Sequence, residues 1–248
     1  MKLIRTIVFF PLAFIRLILL LVITAYITII GILWLKLFGF SRKLQNWMER
    51  NWGRATMFIL GIKLNKHQLP QSTNFILMPN HRSYIDIFIV AGLVPSAMIA
   101  KAEVAKWPFV NMGVRGTGSI LVDRKNASSL LQTMSKIKRS VSQGIPVTLF
   151  PEGTTFKGPL TKHFKNGSFK IAADTQIPVI PMAIEFKDKD DAWVDDDTFV
   201  GHFFRQLGKP VTRVNVCFGE PLSSNDYQEL QKKVKEKIDA MLEKLQEF

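Results

Sequence analysis

The chain has 248 residues, 47% of them hydrophobic, and a net charge of +13, enough material for one α/β domain with an attached apolar segment. Its single cysteine, Cys217, excludes an intrachain disulfide and sits in an apolar run, which suits an intracellular domain. Scattered histidines without zinc-like spacing leave no structural metal to expect.

The charge calls for an anionic partner, and its distribution selects one. Residues 1–65 hold nine Lys or Arg against the single acid Glu49, so +8 of the excess lies beside the most apolar part of the chain. That placement favours membrane lipids. No zinc finger, helix-turn-helix or aromatic RNA-binding pattern supports nucleic acid as a partner.

Residues 7–37 are apolar apart from Arg16, Lys36 and a few small or hydroxyl side chains, and 17–35 alone reach the roughly 20 residues that a bilayer-crossing helix needs. The run exceeds the apolar stretch of a signal peptide and no cleavage pattern follows, so it reads as a retained anchor. Arg16 divides it, Pro11 can kink it, and basic residues flank both ends, so it either crosses the membrane or lies in one leaflet. After Gly39 and Ser41, a second helix carrying Leu44, Trp47, Met48, Trp52, Met57 and Phe58 among basic residues resembles an interfacial element. Residues 1–65 therefore read as a membrane-anchoring helical segment, followed by a polar connection over 63–73.

From 66 to 248 the pattern becomes that of an α/β domain. Expected strands are 74–78, 97–100, 119–122, 147–150, 179–186 and 212–218, with helices near 85–92, 127–143 and 164–175 between them. Such alternation predicts a largely parallel sheet flanked by helices. Leu230, Val234, Ile238, Met241 and Leu245 recur at helical spacing in a closing amphipathic helix.

The chemistry-bearing stretch is 80–86, Asn-His-Arg-Ser-Tyr-Ile-Asp, after the apolar run ended by Pro79. On one continuous helix, residues five apart point about 140° away from each other. A helix beginning at Ser83, with Asp86 in capping-box position, lets His81 sit in the preceding loop, within reach of the carboxylate. A carboxylate holding Nδ1–H leaves Nε2 free as a general base. By itself the spacing also fits a loop histidine that only bonds backbone.

Three more blocks follow in order: Gly118 to Arg124, Phe150-Pro151-Glu152-Gly153-Thr154-Thr155, and Val179 to Ala183. Together with His-x4-Asp they resemble the glycerolipid acyltransferases typified by 1-acyl-sn-glycerol-3-phosphate acyltransferase. The resemblance implies O-acyl transfer from acyl-CoA or acyl carrier protein to a lysolipid, with His81 and Asp86 catalytic and no cofactor. It implies acceptor contacts at Lys101, Arg124, Glu152, Gly153 and Thr154, and a catalytic domain held on the cytoplasmic side of a membrane. Read without the resemblance, Arg124 equally suits a surface pair with Asp123, and the Gly153 segment a plain turn.

Thr155 stands where the family usually has arginine, so the bidentate grip on a phosphate is missing. Either Lys157, Lys162 or Arg124 supplies the charge for 1-acyl-glycerol-3-phosphate, or the acceptor is a lyso-ornithine lipid or lysophospholipid. Two other classes are a hydrolase using Ser83, disfavoured for want of a Gly-x-Ser-x-Gly elbow, and a basic lipid-binding scaffold without catalysis.

Overall fold

The computed structural model describes residues 2–66, 69–71, 74–101, 117–122, 127–194 and 197–247. Helix α1 (Lys2–Phe38) contains Pro11 and ends at Gly39; Ser41 then caps α2 (Arg42–Ile59) by accepting the Leu44 N–H at 3.2 Å. The alternating part comprises β1 (Ile62–Lys66), β2 (Ile76–Pro79), α3 (Ile85–Leu93), β3 (Ala97–Lys101), β4 (Ile120–Val122), α4 (Ala127–Ser142), β5 (Val147–Thr148), α5 (Asn166–Thr175), β6 (Val179–Phe186), α6 (Phe199–Gly208), β7 (Thr212–Phe218) and α7 (Tyr227–Gln246).

The strands form one sheet in the order β1-β7-β6-β2-β5-β3-β4, parallel at every pairing except β6 with β7. This is the expected architecture with two additions. The segment read as a polar connection supplies edge strand β1, whose Lys and Asn side chains hide a strand that only Ile62 and Leu64 turn toward the core. Helix α6 also went unforeseen; Thr198 caps it by accepting from Gly201 N–H.

Both faces of the sheet are covered, so β2 and β6 are buried at every residue and read as unbroken apolar runs. One face packs Ile137 and Val141 of α4, Phe169 of α5, and Val234 and Ile238 of α7. The other packs Ile85, Ile89 and Val90 of α3, with α2 crossing behind. That crossing is close because two glycines meet there: a Cβ on Gly53 would stand 2.3 Å from Gly92 N.

Much of the apolar face expected to lie free on α2 is thus inside the protein, with Leu44, Met48 and Met57 buried and Phe58 exposed. Helix α1 packs first on α6, then on α2. The Arg16 guanidinium, a cation in an apolar helix, donates to the carbonyls of Leu207, Lys209 and Pro210 at the end of α6, at 3.1, 2.5 and 3.1 Å. Farther along, Ile27 meets Leu44 and Met48, and Trp52 Nε1 donates to Thr24 Oγ1 at 3.1 Å. The outer face leaves Phe10, Phe14, Leu21, Val22 and Ile29 more than half exposed.

Candidate active site

The C-terminal ends of the parallel strands open at one end of the sheet, where ligands of such sheets bind. Pro79 closes β2, and Asn80 extends its ladder with a side chain: Oδ1 accepts from Ile184 N–H at 2.7 Å and Nδ2 donates to Ile184 O at 3.0 Å. The chain therefore leaves the sheet at a fixed point, with His81 as the next residue.

His81 and Asp86 meet. Nδ1 lies 2.8 Å from Asp86 Oδ2, and the same oxygen accepts the backbone N–H of Arg82 at 2.6 Å and of Ser83 at 2.9 Å. An ionised carboxylate only accepts, so Nδ1 carries the hydrogen and Nε2 the lone pair. Asp86 sits in the first turn of α3, where the helix dipole favours an acid. Its side chain is fully buried while that of His81 keeps 17% exposure, so the imidazole is the accessible member of the pair. The ring stacks on Phe150 with centroids 4.1 Å apart.

Ser83 departs from its expected part. Its Oγ is buried and meets no partner among the described residues; Asp86 supplies the cap by reaching back to the loop N–H groups. A fully buried hydroxyl not bonded to His81 is no nucleophile.

Glu152 is drawn under the same loop. Its Oε1 accepts His81 N–H at 2.8 Å and Oε2 accepts Lys162 N–H at 2.9 Å. Burial pushes its pKa up, while these two hydrogen bonds and the nearby Arg82 and His81 charges act the other way. With both oxygens used by backbone, the side chain holds the main chain at His81.

Gly153 adopts φ +70°, and a Cβ there would stand 2.8 Å from Lys165 Cε and 2.9 Å from Nζ, so the turn requires glycine. Thr154 is exposed and Thr155 half-buried, and the following residue donates Phe156 N–H to His81 O at 2.8 Å. Of the cations weighed for the missing arginine, Lys157 pairs with Asp190 at 3.1 Å and Lys162 is exposed, 5.9 Å from the Phe156 ring centre.

Lys101 ends β3 opposite Val122 of β4, at the same end of the sheet as His81. Its side chain, Asp123 and Arg124 lie outside the described residues.

Three partners were not foreseen. Arg82 is buried at 2% exposure; its guanidinium donates to Glu185 Oε2 at 3.2 and 2.9 Å and to Phe156 O at 2.9 Å, fastening the histidine loop to β6 and to the Gly153 segment. Glu185 was detectable in principle, because a lone acid in an apolar strand needs a cation. Lys165, twelve residues beyond Gly153, lies across that turn, with its own N–H on Pro151 O at 2.9 Å.

Comparison with known proteins agrees with this geometry. The family model described as Acyltransferase matches residues 62–185, half of the chain. Among curated relatives, a lyso-ornithine lipid O-acyltransferase of Rhizobium meliloti (strain 1021) is 28% identical over 85% of this chain and 78% of its own length. A 1-acyl-sn-glycerol-3-phosphate acyltransferase of Borreliella burgdorferi is 31% identical over 53% of this chain and 54% of its own. The crystal structure of the 1-acyl-sn-glycerophosphate acyltransferase of Thermotoga maritima shares the fold, with a TM-score of 0.65 at 24% identity over 93% of this chain and 97% of that one. Half the chain falls within the family model, and the histidine and carboxylate that carry the resemblance stand together at the open end of the sheet: the chain belongs to the acyltransferase family typified by 1-acyl-sn-glycerol-3-phosphate acyltransferase, and is an O-acyltransferase of the lysolipid type.

Proposed function

We propose that the protein transfers an acyl group from a thioester, of CoA or of acyl carrier protein, to the free hydroxyl of 1-acyl-glycerol-3-phosphate, giving phosphatidic acid. The observation that carries this is the His81 imidazole held by Asp86 at 2.8 Å, stacked on Phe150 and accessible on its remaining side. Nε2 takes the hydroxyl proton as the acceptor oxygen attacks the thioester carbonyl. Collapse of the tetrahedral intermediate expels the thiolate, which takes the proton from the imidazolium. Asp86 stabilises that imidazolium, and Glu152 and Arg82 keep the loop in place. Among the described residues, Lys165 beside Gly153 is the cation placed to meet an acceptor phosphate, with Lys101 and Arg124 as further contacts and Gly153 and Thr154 forming the turn that faces the head group.

A second acceptor, a lyso-ornithine lipid, is favoured by Thr155 in place of the arginine and by the similarity to the Rhizobium enzyme over 85% of this chain.

Helix α1 serves as the membrane anchor, while α2 and β1, expected to belong to it or to the connection after it, pack into the acyltransferase domain. The Phe9–Phe38 stretch of α1 is long and apolar enough to cross a bilayer, yet one side of α1 packs on α6 and α2 while the other exposes large apolar side chains. This arrangement supports a helix embedded in one leaflet along the domain, and we place that leaflet on the cytoplasmic side.

The test is an acceptor screen read by mass spectrometry, with purified protein, an acyl thioester and a panel of lysolipids, run beside His81→Ala. Loss of about 10² to 10⁴ in rate with an unchanged melting temperature is expected for that variant. Wild-type turnover by folded His81→Ala would sink the mechanism.

A further inference from the structure

Three cations stand in a row across the sheet, beyond the strand that holds Glu185. In the antiparallel register Phe186 faces Val214, so the next pair is Lys187 and Arg213, joined by Lys187 N–H on Arg213 O at 3.0 Å. Arg213 in turn faces Lys63 in the parallel pairing of β1 with β7. Directly opposed residues share a sheet face, so Lys187, Arg213 and Lys63 form one lateral row, about 10 Å long at roughly 4.8 Å per strand. Asn65 and Asn215 face each other in the next row inward on that side, where Glu185 stands opposite Asn215 but is held by Arg82, and Asn215 Nδ2 also donates to Leu245 O at 3.2 Å. The three cations and two asparagines line a cavity of about 220 Å³ that has no acidic side chain in its lining.

Like charges directly opposed across strands are destabilising, yet none of the three cations meets a carboxylate among the described residues. The acids nearby are engaged elsewhere: Glu185 by Arg82 and Lys189, Asp190 by Lys157, and Asp188 and Asp191 by Lys209. Lysine on an edge strand often serves to discourage pairing with other chains. That reason covers Lys63 but not Arg213, since β7 lies between β1 and β6.

The row's position is also informative. Lys187 follows β6 at the sheet end that carries His81. Thr212 N–H donates to Gly61 O beside the Pro210 carbonyl that Arg16 of α1 grips. The row therefore borders both the catalytic end and the place where α1 joins the domain.

We propose that Lys63, Lys187 and Arg213, with the carboxamides of Asn65 and Asn215, form a phosphate-binding site separate from the His81 centre. A guanidinium flanked by two ammonium groups suits a phosphate oxyanion, which cancels the repulsion that the row otherwise holds. That phosphate belongs either to an anionic lipid head group or to the nucleotide part of a CoA thioester.

The experiment uses the full chain in neutral-detergent micelles and compares wild type with the triple variant Lys63→Gln, Lys187→Gln, Arg213→Gln. Binding of CoA, and of phosphatidylglycerol doped into the micelles, is titrated at two salt concentrations, and the melting temperature is measured without either. Wild type should bind one of the two in a salt-sensitive manner, and the triple variant should lose about tenfold or more in affinity for it. Loss confined to CoA assigns the donor phosphates; loss confined to phosphatidylglycerol assigns the head group. Without ligand the triple variant should melt at the same temperature or higher. Equal affinity of both proteins for both ligands overturns the site. If the triple variant does not fold, Arg213→Gln alone is read by the same criteria. Neither readout requires turnover, so this test stands even if the acyl-transfer reading fails.

Discussion

Asp86 performs two tasks with one oxygen, and two substitutions separate them. Asp86→Ala removes the acceptor of Arg82 N–H and Ser83 N–H, both in a buried loop. Leaving a buried donor unmade costs about 1–3 kcal/mol each, so the variant should lose roughly 2–6 kcal/mol of stability. At about 2–4 °C per kcal/mol for a chain of this size, the melting temperature should fall by roughly 4–24 °C. Asp86→Asn keeps an oxygen for the same three donors and turns its amide toward the Oδ1 position, which meets no partner among the described residues. Its two amide N–H groups then lie unmade there, so it should lose stability to a similar degree while keeping the imidazole in place.

The catalytic loss in Asp86→Asn is then mainly electrostatic. Imidazolium and carboxylate centres about 4 Å apart interact by about 4 kcal/mol at an effective dielectric constant of about 20. If half to three-quarters of that develops in the transition state, about 2–3 kcal/mol is lost, or roughly 30- to 160-fold in kcat. KM for the acceptor should change little, since Asp86 is buried beneath His81. The assay is transfer of a labelled acyl group from thioester to lysolipid, beside thermal unfolding of both variants. A kcat for Asp86→Asn within about twofold of wild type refutes the supported-base mechanism, and a wild-type melting temperature for Asp86→Ala refutes the clamp.

Burial pushes Glu49 up to about 8, against the hydrogen bonds from Ser96 N–H and Gln45. The folded protein thus keeps a proton that the unfolded chain releases above about pH 4.3; stability should fall as pH rises from there to about 8 and level off beyond, and Glu49→Gln should lack that slope. Parallel melting curves against pH for the two proteins would show that Glu49 is ionised throughout. High salt alone should leave the protein in the membrane fraction, because the exposed apolar face of α1 outlasts screening; quantitative release would reduce residues 1–65 to a peripheral basic patch. Lys165→Met should raise KM for lysophosphatidic acid about tenfold or more and leave a lyso-ornithine acceptor less affected, and Thr155→Arg should shift relative kcat/KM toward lysophosphatidic acid. No change in preference from either substitution would remove Thr155 and Lys165 from the head-group site.

The parts of this structure that were legible in sequence are those whose cause is local. Period-2 and fully apolar runs gave six of the seven strands to within two residues; helical spacing gave α3, α4, α5 and α7. The exception among the strands, β1, carries Lys63, Asn65 and Lys66 around two core residues, because an edge strand with one solvated face needs no more. Helix α6 was hidden for a related reason. Its buried residues include His202 and Gln206, polar side chains held by Tyr84, Asp191 and Thr212 from elsewhere in the chain, and its apolar Phe204 and Val200 face outward.

The His81–Asp86 pair was legible because both members lie within one loop and one helical turn. Its support was not, because it joins segments 70 to 100 residues apart that only the sheet order brings together. Arg82 illustrates the difference. As a cation inside the His-x4-Asp block, its sequence position would suit a contact to substrate, yet the parallel pairing of β2 with β6 sets Met78 beside Pro181 and carries Glu185 to the loop's underside. A charge buried there can only be structural, since both groups have left water and each neutralises the other. The same loop receives Glu152 from the turn after β5, the strand on the other side of β2. His81 is therefore oriented through contacts from both neighbouring strands, and substitutions at Arg82 or Glu185 should lower kcat through the position of the imidazole while leaving the chemistry of the Nε2 base unchanged.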